Sequence, residues 1–202
     1  VYQLKDSYRA RVENKDVNWG GTLSEAHYKE LQSKSNDLGV AETQMTFTGE
    51  VNSKNPKQAD GQLNVIQVAG GKKFTRASFS AVGGPWGNGS PENGDYLVNT
   101  LQDRGPSGWY NEGMTKDGVG FSLNLVPQFK TGRTQLRIHP DGGKFFGTQG
   151  CIGLTCDKAG LLNFRGFSQS ALSKQKNIIL NINILNNLNN NGYGKKVKSN
   201  GE

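Results

Sequence analysis

Residues 136 to 154 read Leu-Arg-Ile-His-Pro-Asp-Gly-Gly-Lys-Phe-Phe-Gly-Thr-Gln-Gly-Cys-Ile-Gly-Leu. Apolar and polar side chains alternate up to His139, as on a half-buried strand, and Pro140, Asp141, Gly142 and Gly143 are residues that end strands and turn chains. The pattern predicts His139 at a strand end, over a cleft. Cys151 closes the glycine-rich bend that follows. A thiol is a strong nucleophile only as thiolate, and an imidazole within hydrogen-bond reach can take its proton and later return it to a leaving amine. His139 and Cys151 are therefore the candidate base and nucleophile. Gly150 carries no Cβ to keep a substrate carbonyl from the backbone, so the amides near Gly150 and Cys151 are the candidate donors to an oxyanion.

Outward from this stretch, the hydrophobic period points to a β core. From Gln44 onward, Met45 to Val51, Leu63 to Val68, Phe74 to Val82, Tyr96 to Thr100, Phe121 to Val126 and Thr134 to His139 read as strands divided by Gly, Asn and Pro. Asn177 to Leu185, rich in isoleucine, gives a last strand. An antiparallel sheet is the simplest arrangement. Between Cys151 and that strand, Leu161, Leu162, Phe164, Phe167 and Leu172 predict a short helix over Lys158 to Lys174, broken near Gly166. Residues 1–44 differ: Leu23, Ala26, His27, Leu31 and Leu38 recur at near-helical spacing behind Thr22 and Ser24, with Gly39 as a stop. They form the expected N-terminal helical or extended segment. Residues 187–202 are rich in Asn, Gly and Lys and are expected to be a disordered tail.

The central motif resembles the signature of the L,D-transpeptidase (YkuD-type) family, in which a histidine precedes a Ser-His-Gly-Cys-Ile-Arg-like stretch. Thr148-Gln149-Gly150-Cys151-Ile152-Gly153 matches it in the hydroxyl residue, the glycine, the cysteine and the isoleucine, and departs from it at Gln149 and Gly153. The short separation of His139 from Cys151, together with Gly-Pro-Trp-Gly-Asn-Gly-Ser-Pro-Glu-Asn-Gly-Asp-Tyr-Leu-Val at 84 to 98, is similar to the divergent branch that includes type VI secretion effectors. The resemblance implies a mainly β fold over 45–186, an antiparallel sandwich or barrel-like core with a few short helices. It also implies a catalytic domain acting on peptidoglycan stem peptides, with Thr148, Gln149 and Gly153 at substrate-binding positions and no cofactor. Delivery to the periplasm, by secretion or by a secretion apparatus, and a cognate immunity protein as partner follow from the same likeness.

Composition bounds the alternatives. The chain has 202 residues, 33% hydrophobic, with 28 glycines and a net charge of +7. Such a charge favours an anionic partner. Its cations are spread along the sequence, apart from Lys195, Lys196 and Lys198, so nucleic acid is not the expected partner. No run is apolar enough to span a bilayer, and no signal-peptide core is visible. Two cysteines make no disulfide framework, although Cys151 and Cys156 are close enough in sequence to pair on oxidation. His139, Cys151 and Cys156 with Asp141 or Asp157 could supply zinc ligands, but their spacing matches no familiar metal motif, and no metal is expected. Arg137 shares a strand face with His139 and could hold a substrate carboxylate or pair with Asp141. Trp86, Trp109 and Tyr110 could stack on a sugar or pack beneath loops. A non-catalytic wall-binding module and a papain-like amidase or endopeptidase are the rival readings, though papain-like enzymes place cysteine ahead of histidine in the chain.

Overall fold

The computed structural model describes residues 42–69, 72–105, 112–187 and 189. The expected N-terminal helix with His27, the aromatics Trp109 and Tyr110, and the tail from residue 190 lie outside them. Nine strands and a helix follow in order: β1 (Glu42–Asn52), β2 (Asn55–Ala69), β3 (Lys72–Gly83), β4 (Gly94–Asp103), β5 (Thr115–Lys116), β6 (Val119–Pro127), β7 (Arg137–Pro140), β8 (Ile152–Leu154), α1 (Lys158–Leu172) and β9 (Ile178–Leu185). The order in the sheet is β4-β9-β1-β2-β3-β8-β7-β6-β5, and β4 also pairs with β6. That last pairing joins the two ends of the sheet.

The core is therefore a closed eight-stranded barrel, with β5 as a short flap hairpinned onto β6. Closure satisfies the backbone groups that an open edge would leave unpaired. This corrects the sandwich alternative. It also corrects the purely antiparallel expectation, because β1 with β9 and β7 with β8 run parallel. A parallel neighbour requires a connection that returns to the starting end of the sheet. For β7 and β8 that connection is the loop of residues 141–151, the glycine-rich bend of the motif.

Alternation accounts for the interior. Met45 and Phe47 of β1 face Leu180 and Ile182 of β9 in register, and all four are buried, while Ile179, Asn181, Asn183 and Leu185 are exposed. Tyr96 and Val98, Phe121, Leu123 and Leu125, and Ile138, Ile152 and Leu154 continue the apolar lining. α1 packs on this lining through Leu161, Phe164 and Ala171, a stripe at helical spacing. Phe164 meets Phe79 edge-on at 5.2 Å between centroids and stacks with Phe121 at 6.0 Å. Asp157 caps the helix, its Oδ1 accepting from the Gly160 amide at 2.8 Å.

The helix runs unbroken through Gly166, contrary to the expected break, because Gly166 lies on the exposed face and nothing is within 4 Å of where its Cβ would be. The expected disordered tail also begins too early. Asn187 is buried, and its Nδ2 donates to the Pro91 carbonyl at 2.9 Å and to Asn93 Oδ1 at 3.0 Å. Asn189 Nδ2 reaches the carbonyls of Asn88 and Ser90. Among the described residues no helix is long and apolar enough to cross a membrane.

Candidate active site

Register decides which face carries the site. β7 and β8 pair with Ile138 opposite Ile152, His139 opposite Gly153 and Pro140 opposite Leu154. Ile138, Ile152 and Leu154 belong to the core, so Arg137, His139 and Gly153 project from the outer face. Cys151 precedes β8 by one residue and is on this side too. The Arg137 amide hydrogen-bonds its thiol, and Arg137 and Asp141 act on both Cys151 and His139. Sequence order and strand pairing thus bring the predicted base and nucleophile to one side of the barrel wall.

The loop of residues 141–151 closes over part of that side, with Asp141 and Thr148 packed on Gly153. His139 is 5% exposed and Cys151 9% exposed. The loop is fastened at several points. Gly147 donates its amide to Asp141 Oδ2 at 2.9 Å, and Gly142 donates to the Phe145 carbonyl at 3.1 Å. Thr148 Oγ1 donates to the Cys151 carbonyl at 2.7 Å and accepts from the Gly84 amide at 3.0 Å. A parallel bridge joins Thr148 to Pro85, which follows a cis peptide bond. Trp86 Nε1 donates to the Phe146 carbonyl at 2.8 Å. The Gly84–Gly89 turn is itself gripped from below: Arg133 donates to the carbonyls of Ser90 and Asn88 at 2.7 and 2.9 Å. Lys144 pairs with Glu112 at 2.8 Å on the far side of the loop.

The imidazole is oriented by its own strand. His139 Nδ1 lies 2.8 Å from the Pro140 carbonyl, which can only accept, so Nδ1 carries the hydrogen and Nε2 keeps its lone pair. Burial lowers the basicity of His139, opposed by the bond to Pro140 and the charge of Asp141 and reinforced by the guanidinium groups of Arg137 and Arg104. Burial likewise raises the Cys151 thiol above its ordinary value, against the Arg137 amide and charge. Desolvation disfavours the charged form of each. Desolvation thus favours a neutral thiol and a neutral imidazole at rest on the shared outer face. The thiol is directed at the Gln135 carbonyl, 4.0 Å away.

The remaining expected residues take distinct places. Gly150 is buried with φ +100°, a backbone conformation that L side chains rarely adopt, so the turn into Cys151 depends on glycine. Gly153 is enclosed: a Cβ there would meet the Asp141 Cβ at 2.5 Å and the Thr148 Cγ2 at 2.9 Å. Thr148 is enclosed as well, and both residues build the wall of the site from within. Gln149 is exposed beside Gly87, on the rim. Arg137 is half-buried, and its Nη1 donates to the Gln135 carbonyl at 3.3 Å. Cys151 and Cys156 are both free thiols, and Lys116 Nζ binds the Thr155 and Cys156 carbonyls at 2.7 and 2.9 Å. Among the described residues, no three His, Cys, Asp or Glu side chains gather into a metal-holding group.

Three features of the site were not assigned to it from sequence. Asp141 ties the loop, the Pro140 carbonyl sets the tautomer, and Phe145 and Phe146 join Trp86 as exposed aromatics on the rim. The aromatics left a signal as a Phe-Phe pair within a glycine loop, and Asp141 as a carboxylate near the motif, whereas the Pro140 carbonyl left none. No protein-family model and no curated protein sequence matches the chain. The likeness to L,D-transpeptidases therefore rests on the motif residues themselves.

Proposed function

We propose that the protein is a cysteine acyl-transfer enzyme of the L,D-transpeptidase type, acting on tetrapeptide stems of bacterial peptidoglycan. The observation that carries this reading is the shared outer face of β7 and β8, where Cys151 follows a glycine-only turn and His139 presents a bare Nε2. In the proposed reaction the S–H of Cys151 turns from the Gln135 carbonyl to His139, which takes the proton as sulfur attacks the amide before the terminal D-alanine. Amides near Gly150 and Cys151 receive the developing oxyanion. His139 then protonates the leaving amine, the C–N bond breaks and a thioester remains. Water as acceptor gives L,D-carboxypeptidase activity; an amine gives a cross-link or D-amino-acid exchange.

The substrate class comes from the motif, supported by the positive net charge and by Arg137 beside the thiol as a holder of a stem carboxylate. The effector-like stretch at 84–98 supports delivery into a rival's periplasm as a toxin, with an immunity protein as partner. Incubation with purified tetrapeptide muropeptides followed by mass spectrometry tests the chemistry, because loss of D-alanine, a new cross-link and internal cleavage differ in mass. No change in mass with any acceptor would remove the enzymatic reading. The exposed Trp86, Phe145 and Phe146 favour one alternative, a non-catalytic glycan-binding module, in which Cys151→Ala would bind wall polymer and act as the unaltered protein does.

A further inference from the structure

We infer that Asp141 is a positioning residue of this site: its carboxylate holds the 141–151 loop closed and supplies the counter-charge for His139 when the imidazole is protonated. Its role in turnover rests on the reading above, whereas the charge pairing stands without it. Asp141 is 3% exposed. Its amide donates to the Leu154 carbonyl at 2.8 Å, extending the β7–β8 ladder, and Oδ2 accepts from Gly147 at 2.9 Å. Its Cβ occupies the space that Gly153 leaves by having no side chain. Backbone, carboxylate and packing thus all fix the group in place.

A buried carboxylate is costly unless bonded and paired. The charged and titratable groups facing the pair are Arg137 on β7, Arg104 beyond β4, Lys116 on β5 and Cys151 before β8. Register sets His139 opposite Gly153, and the Asp141 Cβ and Cγ lie 2.5 and 2.8 Å from where a Gly153 Cβ would stand, so the carboxylate occupies the outer face directly across from the imidazole. There the guanidinium groups of Arg137 and Arg104 oppose protonation of His139 and the charge of Asp141 favours it. Burial pushes the Asp141 carboxyl up, and Gly147, His139 and Lys116 pull it back toward the ionised form. When the thiol proton moves to His139, positive charge appears in a dry enclosure already flanked by two guanidinium groups. Asp141 offsets it without moving.

Asp141→Asn keeps an oxygen for the Gly147 amide and removes the charge, so it separates the two roles. In steady-state kinetics, kcat should fall about tenfold with KM for the tetrapeptide little changed, and the acid limb of the pH profile should move about one unit lower. A purely structural role would lower activity without moving that limb. The ring titration of His139, followed by NMR in Cys151→Ala with and without Asp141→Asn, gives the same answer without turnover. A downward shift of the midpoint supports the pairing, and an unchanged midpoint overturns it. Should the double variant not fold, the Gly147 amide resonance in Cys151→Ala serves instead: it should follow the His139 transition, and silence there overturns the proposal. Loss of the enzymatic reading would show as no turnover of muropeptides with the His139 shift intact.

Discussion

The barrel contains two parallel seams, and they put the same inner surface to different outer uses. Along β1 and β9, Met45, Phe47, Leu180 and Ile182 fill the core while Asn181 and Asn183 look out to water. Along β7 and β8, Ile138, Ile152 and Leu154 fill the core in the same way, but His139, Cys151 and Gly153 on the outer face are buried. The difference is the connection. The strands of the first seam lie far apart in the sequence and the outer positions of β9 are exposed, whereas those of the second seam are joined by a loop whose Asp141 and Thr148 close over Gly153. A short parallel crossover thus converts an ordinary barrel wall into an enclosure where burial can lower a histidine, raise a thiol and raise a carboxyl.

The largest expected effect separates the two cysteines. Cys151→Ala should reduce turnover of tetrapeptide muropeptides by several orders of magnitude, as removal of an activated nucleophile does. Cys156→Ser should retain most activity, since Cys156 is outside the enclosure, at the start of α1. Equal losses in the two variants, measured by release of D-alanine, would break the contrast and favour a disulfide or metal account.

His139→Ala should cost nearly as much, and the pH profile carries a sign. A base whose pKa is lowered by burial is competent once deprotonated, so the acid limb of kcat/KM should fall below the ordinary histidine value near 6.5. The raised thiol means that no thiolate plateau should begin near neutrality. An alkaline limb lying above the ordinary histidine value, with activity lost as an imidazolium proton leaves, would instead indicate an imidazolium held by a thiolate in the resting state.

At the level of stability, the two seams should match inside and differ outside. Ile152→Ala and Ile182→Ala each remove a fully buried side chain and should cost about 2–5 kcal/mol in denaturant unfolding. On the outer face, Asn183→Ala should lie within about 0.5 kcal/mol of the starting protein. Gly153→Ala should cost about 1–3 kcal/mol, because its new methyl would press on Asp141 and Thr148. A neutral Gly153→Ala would mean that the loop lifts readily from the wall.

Much of this was legible in the sequence, for local reasons. Alternation marked seven of the strands, and the His139 to Cys151 bend marked the site, because both signals lie within a few consecutive residues. β5 and β8 are too short to carry a period. Closure depends on β4 meeting β6 and β9 together, and the parallel pairing of β1 with β9 joins segments far apart in the chain, so no window of sequence contains either. The Pro140 carbonyl and the Gly147 amide act as backbone groups, which any residue would supply, and their roles emerge only from the path of the loop. Asp141 was visible as a carboxylate near the motif, but its function depends on that same path.

The smallest effect tests the one helix reading that sequence placed wrongly. Glycine inside a helix leaves more backbone freedom in the unfolded chain than alanine does, which costs about 0.5–1 kcal/mol where nothing else requires it. Gly166 has open space around its Cβ direction, sits on the exposed face of α1 and lies far along the helix from the cap at Asp157. Gly166→Ala should therefore stabilise the protein by that amount, raise Tm by a few degrees in a thermal melt and leave muropeptide turnover unaltered. A lower Tm would mean that the chain bends at this position, as the sequence reading held, and that α1 consists of two shorter helices packed separately against Phe79 and Phe121.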